Sequence, residues 1–240
     1  MRPGDKQAQF AGQPALAKRE LELRRDYHLD ALRSSASADN YAENLYYLEL
    51  FLAAAALGQE LGWRPADRLD VADIGVSHWF YAQALLAGLT WWACDAARQV
   101  HIDGFEADPW RLHADLFTRG DHALAHTAGL AELDFRPVPF VARPAAYHAV
   151  TMFFPFVFLA DHRRWGLPTT MHQPEVLLEA AWRSLAPGGL LVVVNQGDAE
   201  QAAQRSMMAQ AGLPTPLSVP FDCGFYQYRV PRRLTVVCRS

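Results

Sequence analysis

From Arg68 onward, short apolar runs alternate with longer amphipathic runs, and this alternation limits the possible folds more than any other feature of the sequence. The runs that predict strands are RLDVADIG, ARQVHIDGFEAD, ELDFRPVPF, YHAVTMFFPFVFL and LLVVVNQG, with predicted helices between them. VTMFFPFVF and LLVVV are apolar without interruption, which is typical of parallel strands buried on both faces. Right-handed crossovers then produce a doubly wound α/β sheet.

The end of the chain departs from this alternation. LSVPF and RLTVVCRS are two strand candidates with no helix between them, so we expect them to pair antiparallel. The predicted fold is therefore α/β and Rossmann-like, with a mostly parallel seven-stranded sheet, an antiparallel C-terminal strand and additional N-terminal helices.

The chain is predicted to divide into three segments. Residues 1–15 are polar and contain Gly and Pro, which favours disorder. Residues 16–64 are predicted to be helical, with Ser37 or Asp39 as the N-cap of the second helix. Residues 65–240 form the Rossmann-like domain, in which PWRLHADLFTRGDHALAHTAGL predicts one long helix opened by Pro109.

Composition disfavours several kinds of partner. A net charge of −4 gives no electrostatic footprint for nucleic acid, and the pairs Arg24-Arg25, Arg163-Arg164 and Arg232-Arg233 are interpreted as solvated surface charge. No signal peptide and no apolar run long enough to span a membrane is evident, so a cytoplasmic location without membrane contact is expected. Three widely spaced cysteines and the absence of an HExxH-like spacing predict neither disulfides nor a metal.

Ligands of a doubly wound sheet bind at the carboxyl ends of its strands. Candidate side chains are found at four such ends. The first predicted strand delivers Asp73 and Gly75, the second Glu106 and Asp108, the fourth Phe154, Pro155 and Phe156, and the fifth Asn195. We expect these residues to converge on one crevice.

The loop after the first strand is unsuited to a dinucleotide. The three glycines of G-x-G-x-x-G correspond to Gly75, Ser77 and Phe80, so two are missing. The acidic residue expected about 20 positions further on is instead Glu106, 31 positions after Gly75. An NAD(P)-dependent oxidoreductase is therefore only a distant alternative.

A smaller ligand with one carboxylate and a ribose suits the loop better. Gly75 permits one close approach of backbone to ligand, and N–H groups beyond Ser77 can face a carboxylate. An acidic side chain at the end of the second strand can accept hydrogen bonds from ribose hydroxyls. S-adenosylmethionine (SAM) has these groups and no phosphate.

Three stretches, in this order, resemble motifs of the class I SAM-dependent methyltransferase superfamily from about Arg68 to Ser240. They are Asp73-Ile74-Gly75-Val76-Ser77, Glu106 in GFEAD, and Leu185-Ala186-Pro187-Gly188-Gly189 before LLVVV. The antiparallel final strands are similar to the family's as well. The resemblance implies SAM as cofactor, a helical lid formed by residues 16–64, and SAM contacts from the following residues: Asp73, Gly75, Ser77, Trp79, Glu106 and Asp108.

The end of the fourth strand bears on the acceptor. Family members that methylate nucleobase amines or glutamine amides carry [DN]-P-P-[YF] there, whereas this chain has Phe153-Phe154-Pro155-Phe156. The resemblance therefore favours a different small-molecule acceptor, held by an aromatic wall of Phe154, Pro155 and Phe156 and by Asn195. Candidates for a general base are His162, Tyr27 and His28.

Two readings of the chain stay open beside an active methyltransferase. One is a catalytically inactive methyltransferase-like protein that serves as a partner or scaffold subunit, which the glycine-poor loop favours. The other is the NAD(P)-dependent oxidoreductase. A homodimer formed through the aromatic N-terminal helices is a further expectation.

Overall fold

The computed structural model describes residues 9–239. Within them, the helices are α1 (Pro14–Asp26), α2 (Asp30–Ser35), α3 (Ala38–Glu60), α4 (Ala82–Trp91), α5 (Arg119–Thr127), α6 (Leu159–Arg164), α7 (Pro174–Ser184) and α8 (Gly197–Gln210). The strands are β1 (Arg68–Ile74), β2 (Gln99–Phe105), β3 (Leu133–Arg136), β4 (Tyr147–Phe153), β5 (Leu185–Gln196), β6 (Leu217–Phe221) and β7 (Arg232–Cys238). A single 3-10 turn, Thr169–Met171, follows α6.

All seven strands form one sheet in the order β3-β2-β1-β4-β5-β7-β6. Strands β1 to β5 run parallel, and β7 pairs antiparallel with both β5 and β6. The predicted mixed sheet is therefore confirmed. The strand order reverses between β1 and β4, and the carboxyl ends of these strands mark the place where such a sheet binds ligands.

Consecutive residues of the central strands serve two separate hydrophobic cores. Val192 and Val194 of β5 face the core that contains α3 and α4, while Leu191 and Val193 face the core that contains α7. All four are fully buried. This explains the uninterrupted apolar run in the sequence, because side chains alternate between the two faces of a strand.

Helix α3 packs on the sheet as part of the larger core. Its N-cap is Ser37, whose side chain accepts a hydrogen bond from the Asn40 N–H. A Cβ at Gly58 would lie 2.8 Å from Leu190, so the helix approaches β5 closely at this glycine. Tyr41, Tyr46 and Tyr47 are buried within the chain, so these three side chains offer no exposed surface to a partner. A homodimer formed through the N-terminal helices stays a prediction. The lid function of residues 16–64 stays a prediction.

Two predicted elements have different bounds in the structure. Residues 109–118 form a loop rather than the first half of a helix, because Thr118 and Asp121 make a capping box that begins α5 at Arg119. The fourth strand ends at Phe153, since Phe154 has a φ of 60° that interrupts the extended backbone.

Helix α1 begins at Pro14, and the disorder expected for residues 1–8 lies outside the described residues. Arg232 is not solvated surface charge as predicted: it is 7% exposed, and its guanidinium lies 3.9 Å from the ring centroid of Tyr228 and 4.3 Å from that of Phe154. Between residues 9 and 239, none of the helices has the length and apolarity to cross a membrane.

Candidate functional site

The loop between β1 and α4 follows a path that normally requires glycine. Gly75, Ser77 and Trp79 have φ values of 78°, 54° and 47°. Left-handed backbone costs an ordinary residue roughly 1–2 kcal/mol, a cost that glycine avoids. The loop therefore keeps a glycine-type conformation although two of the three positions carry side chains. Strained backbone of this kind concentrates at functional sites.

Asp73 connects the β1–α4 loop to the sheet through two side-chain hydrogen bonds. Its Oδ2 accepts a hydrogen bond from Trp79 Nε1 at 2.9 Å, and its Oδ1 accepts one from Thr151 Oγ1 at 2.6 Å. The carboxyl is fully buried, and burial raises its pKa to about 6. Asp73 thus fixes the loop to β4, and its oxygens face protein groups.

Trp79 is the second part of this support. The indole is fully buried and lies against the backbone of Gly104 in β2, where a Cβ would be 2.5 Å from Trp79 Cη2. Tyr81 is also buried and stacks on Tyr47 of α3, with ring centroids 4.4 Å apart. Trp79 therefore packs the loop onto the sheet, and Tyr81 packs it onto α3.

Glu106, directly after β2, connects the two loops of the site. Its Oε2 accepts the backbone N–H of Ser77 at 2.7 Å, and its Oε1 accepts that of Asp108 at 2.8 Å. Arg119 Nη1 lies 3.7 Å from Oε1. Because a carboxylate oxygen can accept more than one hydrogen bond, each oxygen keeps acceptor capacity for a ligand.

A cavity of about 360 Å³ opens beside this pair of loops. It is lined by residues from the β1–α4 loop, the β2–α5 connection and the end of α6, namely Ser77, His78, Arg111, Leu112, His113, Arg119, Arg164 and Trp165. Of the predicted cofactor contacts, Ser77 lines the cavity. Glu106 and Asp108 do not line it, but each pairs with the lining residue Arg119.

The predicted acceptor-binding residues are divided between two places. Phe156 contacts Trp165, a lining residue, with ring centroids 5.7 Å apart, and Pro155 is half-buried beside it in sequence. Phe154 instead lies under the Arg232 guanidinium. Asn195 is fully buried, and neither its Oδ1 nor its Nδ2 has a hydrogen-bond partner among the described residues.

The three candidate bases do not line this cavity. His162 is buried, and its Nε2 lies 2.9 Å from the carbonyl oxygen of Pro168. Tyr27 and His28 line a different cavity of about 620 Å³, next to Gln99 at the beginning of β2. That is the amino end of the strand, so the structure does not bring Tyr27 or His28 to the carboxyl edge.

Four histidines form a cluster of neighbouring rings, and two of them, His78 and His113, line the smaller cavity. His78, His113, His122 and His126 have ring centroids separated by 4.7 to 6.5 Å in the closest pairs. Burial, followed by the neighbouring imidazoles, lowers the pKa of His78 to about 4. The same causes lower the pKa values of His113 and His126. The imidazoles of His78, His113 and His126 are therefore neutral at pH 7.

One group in the described part of the chain has the spacing of metal ligands. It comprises His101, Asp103 and Asp134, whose ligand atoms lie within 4.8 Å of one another. Asp103, however, already accepts hydrogen bonds from Arg136 and Arg143. Two guanidiniums at the same carboxylate oppose the binding of a cation.

Comparison with known proteins identifies the fold. No protein-family profile matches the chain, and no curated protein matches it. A solved structure of a SAM-dependent methyltransferase from Leishmania major matches 80% of this chain and 72% of its own, with a TM-score of 0.55 and 10% identity. The chain has the class I SAM-dependent methyltransferase fold. The methyltransferase CalH, solved with S-adenosylhomocysteine (SAH), matches 78% of this chain and 55% of its own, with a TM-score of 0.51 and 10% identity.

Sequence reasoning missed the cationic part of the site. Arg111 lies in a segment predicted to be helical, and Arg164 belongs to a pair interpreted as surface charge, yet both line the cavity. Trp165 and His113 carried no motif. The one signal in the sequence was T-R-G-D at 118–121, a capping-box pattern that separates the loop from α5.

Proposed function

We propose that this protein binds SAM at the β1–α4 loop and transfers its methyl group to a small-molecule acceptor. The hydrogen bond from the Ser77 N–H to Glu106 carries the proposal, because it joins the glycine-type loop to the acid at the end of β2 beside a cavity. The class I methyltransferase fold supports it. When bound, SAM supplies a methyl group already activated on a sulfonium.

The residues present fit the groups of SAM. Nothing lies within 4 Å of the position that a Cβ of Gly75 would take, so a ligand can approach this backbone. Glu106 keeps acceptor capacity for ribose hydroxyls. The Ser77 N–H donates to Glu106, so the carboxylate of SAM is left to the N–H groups beyond Ser77 that the sequence suggested.

Positioning is the main task of the chain in such a reaction, since an activated methyl group needs alignment and exclusion of water. Among the lining residues, His78 and His113 carry neutral imidazoles that can accept a proton from an acceptor. We assign them the role of base candidates in place of His162, Tyr27 and His28.

An inactive methyltransferase-like protein is the second candidate. Its supporting observation is that both Glu106 oxygens already accept hydrogen bonds from the chain, while Trp79 fills the space below the loop. Such a protein would bind neither SAM nor SAH.

Calorimetric titration with SAH tests the proposal through Glu106→Gln. Glutamine has nearly the same shape as glutamate but lacks its charge and one of its two acceptor oxygens, so we expect SAH affinity to fall about tenfold or more. Glu132→Gln, at a residue that lines the larger cavity, is the control and should bind like the parent. Equal affinity in Glu106→Gln, with an unchanged thermal transition, would refute the ribose assignment.

A further inference from the structure

The wall of the smaller cavity is cationic. Arg111, Arg119 and Arg164 all line it, and none of its described lining residues is Asp or Glu. The carboxylates that pair with these arginines are not lining residues: Asp108 pairs with Arg119 at 3.4 Å, and Asp161 with Arg164 at 2.9 Å. A ligand in the cavity therefore meets guanidinium groups.

Arg111 is the arginine with the greatest capacity for a ligand. It forms no ion pair with any carboxylate among residues 9–239. Its guanidinium lies beside Gly166, where a Cβ would be 3.3 Å from both Arg111 Nη atoms, so a larger residue at 166 would crowd the guanidinium. The guanidinium carbon lies 5.9 Å from the ring centroid of Trp165.

Trp165 orders two of the guanidiniums beside one another. The guanidinium carbon of Arg119 lies 4.5 Å from the same ring centroid, and the indole is 42% exposed. Stacking on an aromatic ring restrains a guanidinium without using its N–H groups. The N–H groups of Arg111 stay available to a ligand oxyanion, and those of Arg119 are shared with the carboxylates of Glu106 and Asp108.

The charge of this wall matches an acceptor better than it matches SAM. SAM has a sulfonium, an ammonium and one carboxylate, so its net charge is positive and unfavourable close to three guanidiniums. An acceptor with a carboxylate or phosphate group would neutralise the wall and form charge-assisted, bidentate hydrogen bonds with arginine. His78 and His113 would each add the one N–H donor of a neutral imidazole.

We propose that Arg111 and Arg119, which Trp165 orders, bind the oxyanion group of the acceptor together with Arg164, which makes the substrates small carboxylates or phosphorylated molecules. The identification of the ligand as a methyl acceptor rests on the proposed function, whereas the oxyanion site itself rests on the cavity alone. Free inorganic phosphate offers the same chemistry and serves as the probe.

An NMR titration that follows the arginine Nε–H signals tests the site with inorganic phosphate, on free protein and on protein saturated with SAH. We expect phosphate to bind in both states, and Arg111→Gln and Arg164→Gln to weaken binding about tenfold each, as for loss of a charge-assisted hydrogen bond. Arg163→Gln is the matched control, because Arg163 is exposed on the same helix and does not line the cavity. It should leave phosphate binding unchanged.

Three results would overturn the inference. The first is no phosphate binding, and the second is binding that Arg111→Gln and Arg164→Gln leave unaltered. The third is that SAH competes with phosphate, whereas 5′-methylthioadenosine, which lacks the carboxylate of SAH, does not. That pattern would assign the arginines to the carboxylate of the cofactor. Failure of SAH to bind would refute the proposed function separately, and arginine-dependent phosphate binding by the free protein would still support the oxyanion site.

Discussion

The indole of Trp79 and the backbone of Gly104 are in such close contact that a Cβ on Gly104 would lie 2.5 Å from Trp79 Cη2. Trp79 belongs to the β1–α4 loop and Gly104 to β2, and the indole Nε1 donates to Asp73 in β1. One side chain thus connects the loop with the ends of both strands that form the candidate cofactor site.

Gly104→Ala should destabilise the protein by about 1–3 kcal/mol, because the added methyl group overlaps the fully buried ring of Trp79. Urea unfolding measures the change. Gly12→Ala is the control, since no atom lies within 4 Å of the position that its methyl group would take, and it should be nearly neutral. Equal stability of Gly104→Ala and the parent would show that Trp79 does not occupy this position.

Gly75→Ala separates backbone strain from steric overlap. A Cβ at residue 75 meets no atom within 4 Å, but the φ of 78° is unfavourable for alanine, so we expect a loss of about 1 kcal/mol in stability. The methyl group would also occupy the space through which a ligand reaches the backbone. SAH affinity, measured by calorimetry on the folded variant, should therefore fall. An unchanged affinity would contradict the role given to Gly75.

Asp73→Asn tests the buried carboxyl through pH. Burial raises the pKa of Asp73 to about 6 from the ordinary 3.8, so the folded state holds this proton more tightly than the unfolded state. Ionised Asp73 therefore lowers stability above pH 6, and this penalty, at most about 3 kcal/mol, disappears as the pH falls toward 3.8. Asparagine has no such penalty. Urea unfolding from about pH 4 to about pH 8 should show the variant gaining relative to the parent as pH rises; a difference independent of pH would contradict this assignment.

His78→Gln has the opposite dependence. Burial, followed by the neighbouring histidines and Arg119, lowers the pKa of His78 to about 4 from the ordinary 6.5, so the unfolded chain takes up the proton first. The charged or titratable groups that face it are His113, His122, His126 and Arg119. The parent should lose stability as pH falls from 6.5 toward 4, and His78→Gln should lose less. Parallel pH profiles of chemical unfolding for the two proteins would exclude a buried neutral His78.

Sequence patterns predicted the sheet well because its signals are local. Leu190 to Val194 form an apolar run that a doubly buried strand requires, and Glu106 follows directly after a strand whose end could be located. The two strands at the C-terminus were predicted from the missing helix between them, and their antiparallel pairing with each other is confirmed.

The rest of the site depends on contacts between segments far apart in the chain. Arg111, Arg119 and Trp165 come together only after the β2–α5 connection and α6 have packed against each other. The positive φ values of Ser77 and Trp79 could not be predicted from the sequence either, since neither residue type favours that conformation. The early start predicted for α5 came from a helix-like pattern in residues 109–118 that the capping residue Thr118 overrides.

Cofactor binding by the unmodified protein decides between an active methyltransferase and an inactive relative. Calorimetric titration with SAM and SAH, with NAD as the control, measures it without any substitution in the chain. We predict micromolar dissociation constants for SAM and SAH and no heat of binding for NAD. Absence of binding by both, in protein with a cooperative thermal transition, would contradict the proposed function and favour the inactive methyltransferase-like alternative.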